Sequence, residues 1–366
     1  FDGYVVSDCG AICDINNHHM VTKNEAESAA LAVNNGCQLN CGTAYKWLKT
    51  AVALNLVSEE TITQSVEKLF EARIRLGMFD DDCEYDNISY DVVECDKHIA
   101  LSRKMAQESI VLLKNDGILP LKGNKKIAVI GPNADDKSVL LGNYNGTPSQ
   151  YTTILRGIQD ASKQRVIYAR GCHITNDVIG DWDEHPLNEA VIAAKKSDVV
   201  IMVMGFNALI EGEEGGDVGR GDRQSIDLPK SQINLYEEIK KTGKPIIFIN
   251  VPASCVNLSE QDEACAAVVQ CFYPGADGGN ALADILFGKV CPSGRLPVTF
   301  YRSTDDLPPF EDYSMENRTY KFFKGDVVYP FGFGLTYSQI VENWIDEFTV
   351  EVSNRGNFDT DYSVLK

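Results

Sequence analysis

The chain of 366 residues is 44% hydrophobic and 24% charged, the make-up of a globular protein with room for two or three cored domains. A formal net charge of −19 argues against a nucleic acid or an anionic membrane as partner, because either needs a basic face. No apolar run approaches the ~20 residues that a membrane-spanning helix requires.

The opening FDGYVVSDCG holds a short aromatic and β-branched run, Tyr4–Val6, between Gly3 and Gly10. It predicts a buried strand of a parallel sheet covered on both faces. Asp8 stands where that strand gives way to a loop, the edge at which catalytic groups collect in barrels of alternating strands and helices. Read without context, the same residue is an acid capping the next turn. A polar loop follows, then a helix over about Asn24 to Asn35, a short strand with its exit loop at Gly36–Gly42, and a helix through Trp47, Leu48 and Val52. Ser58, with Glu60 and Thr61 behind it, caps a further amphipathic helix that Gly77 ends. Residues 1–80 thus read as two strand–helix units and a trailing helix.

Residues 81–97 are acidic and irregular, a linker leading into a helix over His98–Asn115 that Gly117 and Pro120 break. Ile127–Ile130 is a buried strand with a Gly-Pro turn behind it. It lacks a G-x-G-x-x-G, which leaves dinucleotide binding without support. The glycine-rich GNYNGTPSQYTT leads into another helix. The strands VIYARG, SDVVIMVMG, KPIIFINVP and AAVVQCFYPG then alternate with helices at Leu187–Lys196 and Lys230–Lys241, and GGNALADILFG closes the series at Gly288. This alternation predicts an α/β sandwich over 105–336, with a parallel sheet between helices. Beyond Tyr337 the pattern changes to alternating polar and apolar residues around Asn354-Arg355-Gly356, the mark of an antiparallel hairpin.

A second acidic feature follows SDVVIMVMG. The loop GFNALIEGEEGGDVGRGDRQSIDLP carries Glu211, Glu213 and Glu214 among glycines. Taken alone it is a solvated acidic loop. Paired with Asp8 it supplies what retaining glycosidic cleavage needs, a nucleophile and a separate acid/base, with carboxyls about 5–5.5 Å apart. The acid/base must have its pKa lifted by burial or by the other carboxylate to hold a proton near neutral pH.

These strings resemble glycoside hydrolase family 3. In that family a strand reading Gly-aromatic-Val-Val-Ser-Asp delivers the nucleophile, which Asp8 matches, and Ser7-Asp8-Cys9 is similar to the β-xylosidase-type branch. The family's acid/base lies in a loop shortly before an Asp-Arg and an apolar-x-Leu-Pro segment, here Asp222-Arg223 and Ile226, Leu228 and Pro229. The glycine that precedes it in related motifs favours Glu213, with Glu211 and Glu214 as alternatives. ESIVLLKNDGILPL, GNYNGTPSQYTT, YPGADGGNALADILFGKVCPSGRLPVTF and YPFGFGLTYS extend the match along nearly the whole chain.

The resemblance implies that 1–80 are the last strand–helix units of a (β/α)8 barrel carrying the nucleophile, 81–104 a linker and helix, 105–336 the α/β sandwich carrying the acid/base, and 337–366 the start of a fibronectin type III-like domain. A chain truncated at both ends is expected, as is an active site where the barrel's carboxyl edge meets the sandwich. It further implies a retaining exo-acting β-glycosidase for plant cell-wall oligosaccharides, most of all a xylan 1,4-β-xylosidase. A β-glucosidase or an added α-L-arabinofuranosidase activity stays open. The substrate is then a xylo- or gluco-oligosaccharide, no metal or organic cofactor is needed, and a homo-oligomer is allowed. The 366 residues alone are expected not to turn over aryl β-xylosides, because earlier barrel strands grip the sugar hydroxyls. Tyr144 and Arg223 could also touch substrate.

Two non-enzymatic readings compete. Cys9, Cys13, His18, His19, Cys37 and Cys41 could form a metal-binding module, although zinc sites favour Cys-x₂-Cys over the Cys-x₃-Cys spacing seen here. A carbohydrate-binding module without catalysis is the other. Eleven scattered cysteines favour reduced thiols and hence a cytoplasmic location, with secretion left open. Sequons at Asn87, Asn145, Asn257 and Asn317 are too short a pattern to decide between them.

Overall fold

The computed structural model describes residues 1–122, 124–175, 186–211, 223–309 and 311–364. They form two compact units, Phe1–Tyr90 and Asp91–Lys366.

In the first unit, α1 (Ala11–Asn17), α2 (Glu25–Asn34), α3 (Leu48–Ala53) and α4 (Glu59–Arg75) follow in order. Asn24 caps α2 by accepting the N–H of Glu27, and Ser58 caps α4 by accepting that of Thr61. Gly77, with a φ of 69°, ends α4 as expected. A small core gathers Ala26, Ala30 and Val33 of α2 with Ala51 of α3 and Val57. Two expectations fail in this unit. The stretch behind Asp8, read as a polar loop, contains α1, because Ala11, Ile12 and Ile15 supply a helical apolar stripe and Ile12 is buried. Tyr4–Val6 is not a buried strand: it makes a single parallel bridge, Val6 to Leu39, and Val5 and Val6 are 47% and 51% exposed. Among the described residues the run pairs along one edge, with Leu39.

The second unit is built on six strands: β1 (Val111–Asn115), β2 (Ile127–Ile130), β3 (Ile167–Ala169), β4 (Val199–Met204), β5 (Ile246–Asn250) and β6 (Ala267–Gln270). Their spatial order is β1-β6-β5-β4-β2-β3, and every pair is parallel except β1 with β6. Register places Ile201 between Val129 and Ile247. Successive residues feed opposite cores, as the period of two requires. Val129, Ile201, Ile247 and Ile249 pack with Ile154 and Ile158 of α6 (Ile154–Ala161) and with Leu282 and Ile285 of α11 (Gly278–Leu286), the helix that follows α10 (Ser259–Ala264) and β6. Ala128, Val200, Met202 and Phe248 pack with Ala190 and Ala193 of α7 (Pro186–Lys195) and Leu235 and Ile239 of α9 (Lys230–Lys240). Burial on both faces explains why these strands read as continuous apolar runs. The unit is α/β, as the alternation predicts.

The helix expected over His98–Asn115 is divided. α5 (Asp96–Ser109) stops at Ile110, and Val111–Asn115 is β1. A short apolar run does not distinguish helix from strand by periodicity, and the free edge of β6 takes it as a strand buried on both faces. The C-terminal hairpin pairs Ile340–Trp344 with Val350–Asn354 and turns at 345–349, where Ile345 donates to the carbonyl of Thr349. Asn354-Arg355-Gly356, expected to be its turn, leaves the second strand instead.

Candidate active site

Asp8 stands one residue beyond a pair of parallel extended segments. The Val5 carbonyl accepts from the N–H groups of Gln38 and Leu39, both at 3.0 Å, and Ser7 N–H donates to the Leu39 carbonyl at 2.9 Å. The Ser7 hydroxyl then accepts the Cys41 N–H at 3.0 Å and the Asn40 amide at 3.2 Å. Asp8 is exposed, and its Oδ1 accepts the N–H of Cys9 at 2.7 Å. Its backbone is therefore held by neighbours on both sides while the carboxylate faces outward at the carboxyl end of the pair. That is the location at which barrel enzymes carry their chemistry.

Immediately behind Asp8, Cys9 and Cys41 form a disulfide, with Cα atoms 4.5 Å apart. This corrects one expectation. Cys9 and Cys41 are bonded to each other rather than held as thiolates, so the metal-binding set drawn from residues 9 to 41 is broken. The other nine cysteines form no disulfide. Elsewhere burial governs the thiols. It pushes Cys265 up to about 11, against a lowering hydrogen bond from Tyr236, and Cys271 up to about 12. Thiolate is the reactive form. Native protein treated with iodoacetamide at pH 8 should therefore leave Cys265 and Cys271 unlabelled until denaturant is added, a pattern that peptide mass spectrometry reads directly.

Glu213 and Glu214 lie outside the described residues. Glu211 does not, and the structure gives it a definite place. It ends α8 (Ala208–Glu211), a single turn that follows β4. Its Oε2 accepts the Ala253 N–H at 2.9 Å and the Tyr273 hydroxyl; its Oε1 accepts the Ser254 N–H at 3.0 Å and the Ser254 hydroxyl. Ala253 and Ser254 follow β5 and Tyr273 follows β6, so three adjacent strand ends meet on one carboxylate. In open parallel sheets the carboxyl edge is the usual ligand-binding edge. A carboxylate offers about four lone-pair sites, and here four donors fill them.

Arg223 joins the same cluster. Its Nη2 donates to the Ser254 hydroxyl at 2.6 Å and to the Cys255 carbonyl at 3.0 Å, and its guanidinium stacks 4.3 Å from the ring centre of buried Phe206. Burial lowers the Arg223 pKa from its usual value, and the neighbouring Glu211 carboxylate opposes that shift. Burial first, then the Glu211 charge, push the Tyr273 phenol well above its usual value, so it stays protonated and able to donate. Upstream, Gly205 is gripped on both its N–H and its carbonyl by the Gln232 side chain, and Asn133, after β2, donates to the Phe206 carbonyl at 2.8 Å. Tyr144 is 91% exposed at a φ of 57°.

The sequence reading did not single out Ser254 or Tyr273. Ser254 carries no signal beyond its position at the end of an apolar strand. Tyr273 opens YPGADGG, part of a string that resembles the family.

Comparison with known proteins agrees with this architecture. Residues 110–337 match the glycosyl hydrolase family 3 C-terminal domain. Over 506 aligned residues the chain is 30% identical to a xylan 1,4-β-xylosidase of Xylanibacter ruminicola, covering 97% of this chain and 58% of that protein. A solved family 3 exo-β-xylosidase (XlnD), in complex with a xylobiose aziridine activity-based probe, superposes with a TM-score of 0.85 at 33% identity. That match covers 94% of this chain and 45% of that one. A β-glucosidase of Erythrobacter marinus superposes with a TM-score of 0.83 at 31% identity, covering 97% and 52%. The chain spans about half the length of the curated relatives it matches. Among the described residues no helix is long and apolar enough to cross a membrane.

Proposed function

Since the chain belongs to glycosyl hydrolase family 3, we propose that it carries the chemistry of a retaining, exo-acting β-glycosidase that trims xylo-oligosaccharides of plant cell walls, a xylan 1,4-β-xylosidase. The observation that carries the reading is the position of Asp8, exposed one residue beyond the parallel pairing of Val5–Ser7 with Gln38–Leu39. Asp8, ionised, attacks the anomeric carbon, and the bond to the leaving oxygen breaks as Glu213 protonates it. A covalent glycosyl ester forms on Asp8. Glu213, now a carboxylate, takes a proton from water, which displaces Asp8 and releases the sugar with its configuration retained. The four donors on Glu211 support giving the acid/base role to Glu213 or Glu214 instead.

In this reading 1–80 are the last strand–helix units of a (β/α)8 barrel and 337–366 begin a fibronectin type III-like domain. The parallel bridge of Val6 to Leu39 and the antiparallel pairing of Ile340–Trp344 with Val350–Asn354 support those assignments. The substrate is supported by the xylosidase relatives, and the β-glucosidase neighbour keeps glucosides as the second reading.

A panel of nitrophenyl glycosides with the full-length enzyme tests it. The β-D-xyloside should exceed the β-D-glucoside in kcat/KM by roughly tenfold or more, the scale on which one added carbon group is rejected. NMR of early product should show the β-anomer of xylose. Equal rates on glucoside would replace the xylosidase reading by the glucosidase one, and α-xylose as first product would remove the double displacement.

A further inference from the structure

Asp8 is flanked on both sides by cross-links to one pair of residues, Asn40 and Cys41. On its far side Cys9 is bonded to the Cys41 sulfur, and Gly10 N–H donates to the Cys41 carbonyl at 2.9 Å. On its near side the Ser7 hydroxyl accepts the Cys41 N–H at 3.0 Å and the Asn40 amide at 3.2 Å. We propose that Ser7 and Asn40 are positioning residues for the nucleophile. Asn40 fixes the Ser7 hydroxyl, and Ser7 fixes the direction in which the chain presents the Asp8 carboxylate. This rests on the reading of Asp8 as nucleophile and goes beyond it by naming what aims it.

The chemistry of the cluster supports the role. A hydroxyl offers two lone pairs, and here two donors take both, which sets Ser7 Oγ against the neighbouring segment. The Asn40 amide is itself oriented. Its Oδ1 accepts the Tyr45 N–H at 3.1 Å, a group that can only donate, so the NH2 end is the one turned to Ser7. Tyr45 lies in the single turn Ala44–Trp47, and the chain of bonds runs from that turn through Asn40 to Ser7. Asp8 is exposed and its carboxylate bonds to the N–H of the next residue, so its aim follows from the backbone of residues 7 to 9. An attacking group must be held close to its productive geometry, and hydrogen bonds behind it do the holding. The disulfide, the Gly10 bond and the Ser7 N–H bond to the Leu39 carbonyl all remain when the Ser7 hydroxyl is removed. Ser7→Ala should therefore keep the fold and lose the aim, and threonine, which keeps the hydroxyl, should keep both.

The test follows the bond made by the nucleophile. 2,4-Dinitrophenyl 2-deoxy-2-fluoro-β-xyloside transfers its fluoroxylosyl group to the attacking carboxylate oxygen, while dinitrophenolate leaves with the electron pair of the glycosidic bond. In the full-length enzyme, Ser7→Ala and Asn40→Ala should each lower the inactivation rate constant by roughly 10–100-fold, the scale of a misplacement of about 1 Å. The inhibition constant of xylose, which binds without being attacked, should stay the same. Ser7→Thr should restore the inactivation rate. The double variant should be no slower than the slower single one, because Asn40 acts through Ser7. Asp8→Ala is the control for the underlying reading and should take no label. If Asp8→Ala is labelled at the normal rate, the nucleophile reading falls and takes the positioning role with it. If Asp8→Ala is unlabelled, three results overturn the positioning role and leave the nucleophile in place: Ser7→Ala at the unsubstituted rate, losses that multiply in the double variant, or xylose binding that weakens in step with the rate.

Discussion

Asp8→Ala in the full-length enzyme is expected to lower kcat/KM on 4-nitrophenyl β-xyloside by on the order of 10⁴-fold or more, with the melting temperature almost unmoved. The size follows from the chemistry. In the proposed mechanism Asp8 is the nucleophile, so its loss leaves no glycosyl ester to form, and a loss of 10⁴ corresponds to about 5.5 kcal/mol of transition-state stabilisation at 1.36 kcal/mol per tenfold. The small effect on stability follows from the structure. Asp8 is exposed and its carboxylate bonds to the N–H of the adjacent residue, so truncation empties no core and strands no buried partner. A fluorinated xyloside that slows ester hydrolysis should leave its label on the peptide containing Asp8, to be read by mass spectrometry. Activity within tenfold of the unsubstituted enzyme would remove Asp8 from the mechanism.

The second large effect concerns the fold that carries the acidic segment. α6 and α11 cross at two glycines. A Cβ on Gly157 would overlap the Gly279 carbonyl oxygen and lie 2.7 Å from the Asn280 nitrogen. A Cβ on Gly279 would overlap the Thr153 carbonyl oxygen and lie 2.6 Å from that of Thr152. The obstructing atoms are backbone, which cannot rotate away, and Gly279 N–H also donates to the Thr152 carbonyl at 3.0 Å. Gly279→Ala should therefore cost at least about 3 kcal/mol, the upper end of overpacking penalties, measured as a fall in the urea midpoint. Gly243→Ala is the contrast. It has a φ of +69° with nothing within 4 Å of the added Cβ, so it should cost only the ~1–2 kcal/mol of a left-handed residue. Equal costs at the two positions would refute the close crossing of α6 and α11.

Much of the architecture follows from local signals in the sequence. SDVVIMVMG and KPIIFINVP are runs that only a strand covered on both faces would bury, and β4 and β5 are buried throughout. Asn24, Ser58 and Gly77 announce helix ends through short-range capping chemistry. Asp8 is legible for the same reason, as an acid at the end of an apolar run bounded by glycines. The local rule fails where an apolar run is short. IVLLKN joins a sheet rather than prolonging α5 because β6 offers an unpaired edge, a fact of the assembled sheet.

Pairings between distant strand ends were decided by the tertiary structure alone. Cys9 finds Cys41 across 32 residues because two parallel segments end side by side. Glu211, Ser254 and Tyr273 converge because β4, β5 and β6 are neighbours in the sheet order. No residue pattern encodes which strand ends will be adjacent. That depends on how crossovers stack the strands, so the sequence by itself determined the two acidic stretches and the elements that bear them. The sheet determined which side chains hold Glu211 and Arg223, at the borders of one of those stretches.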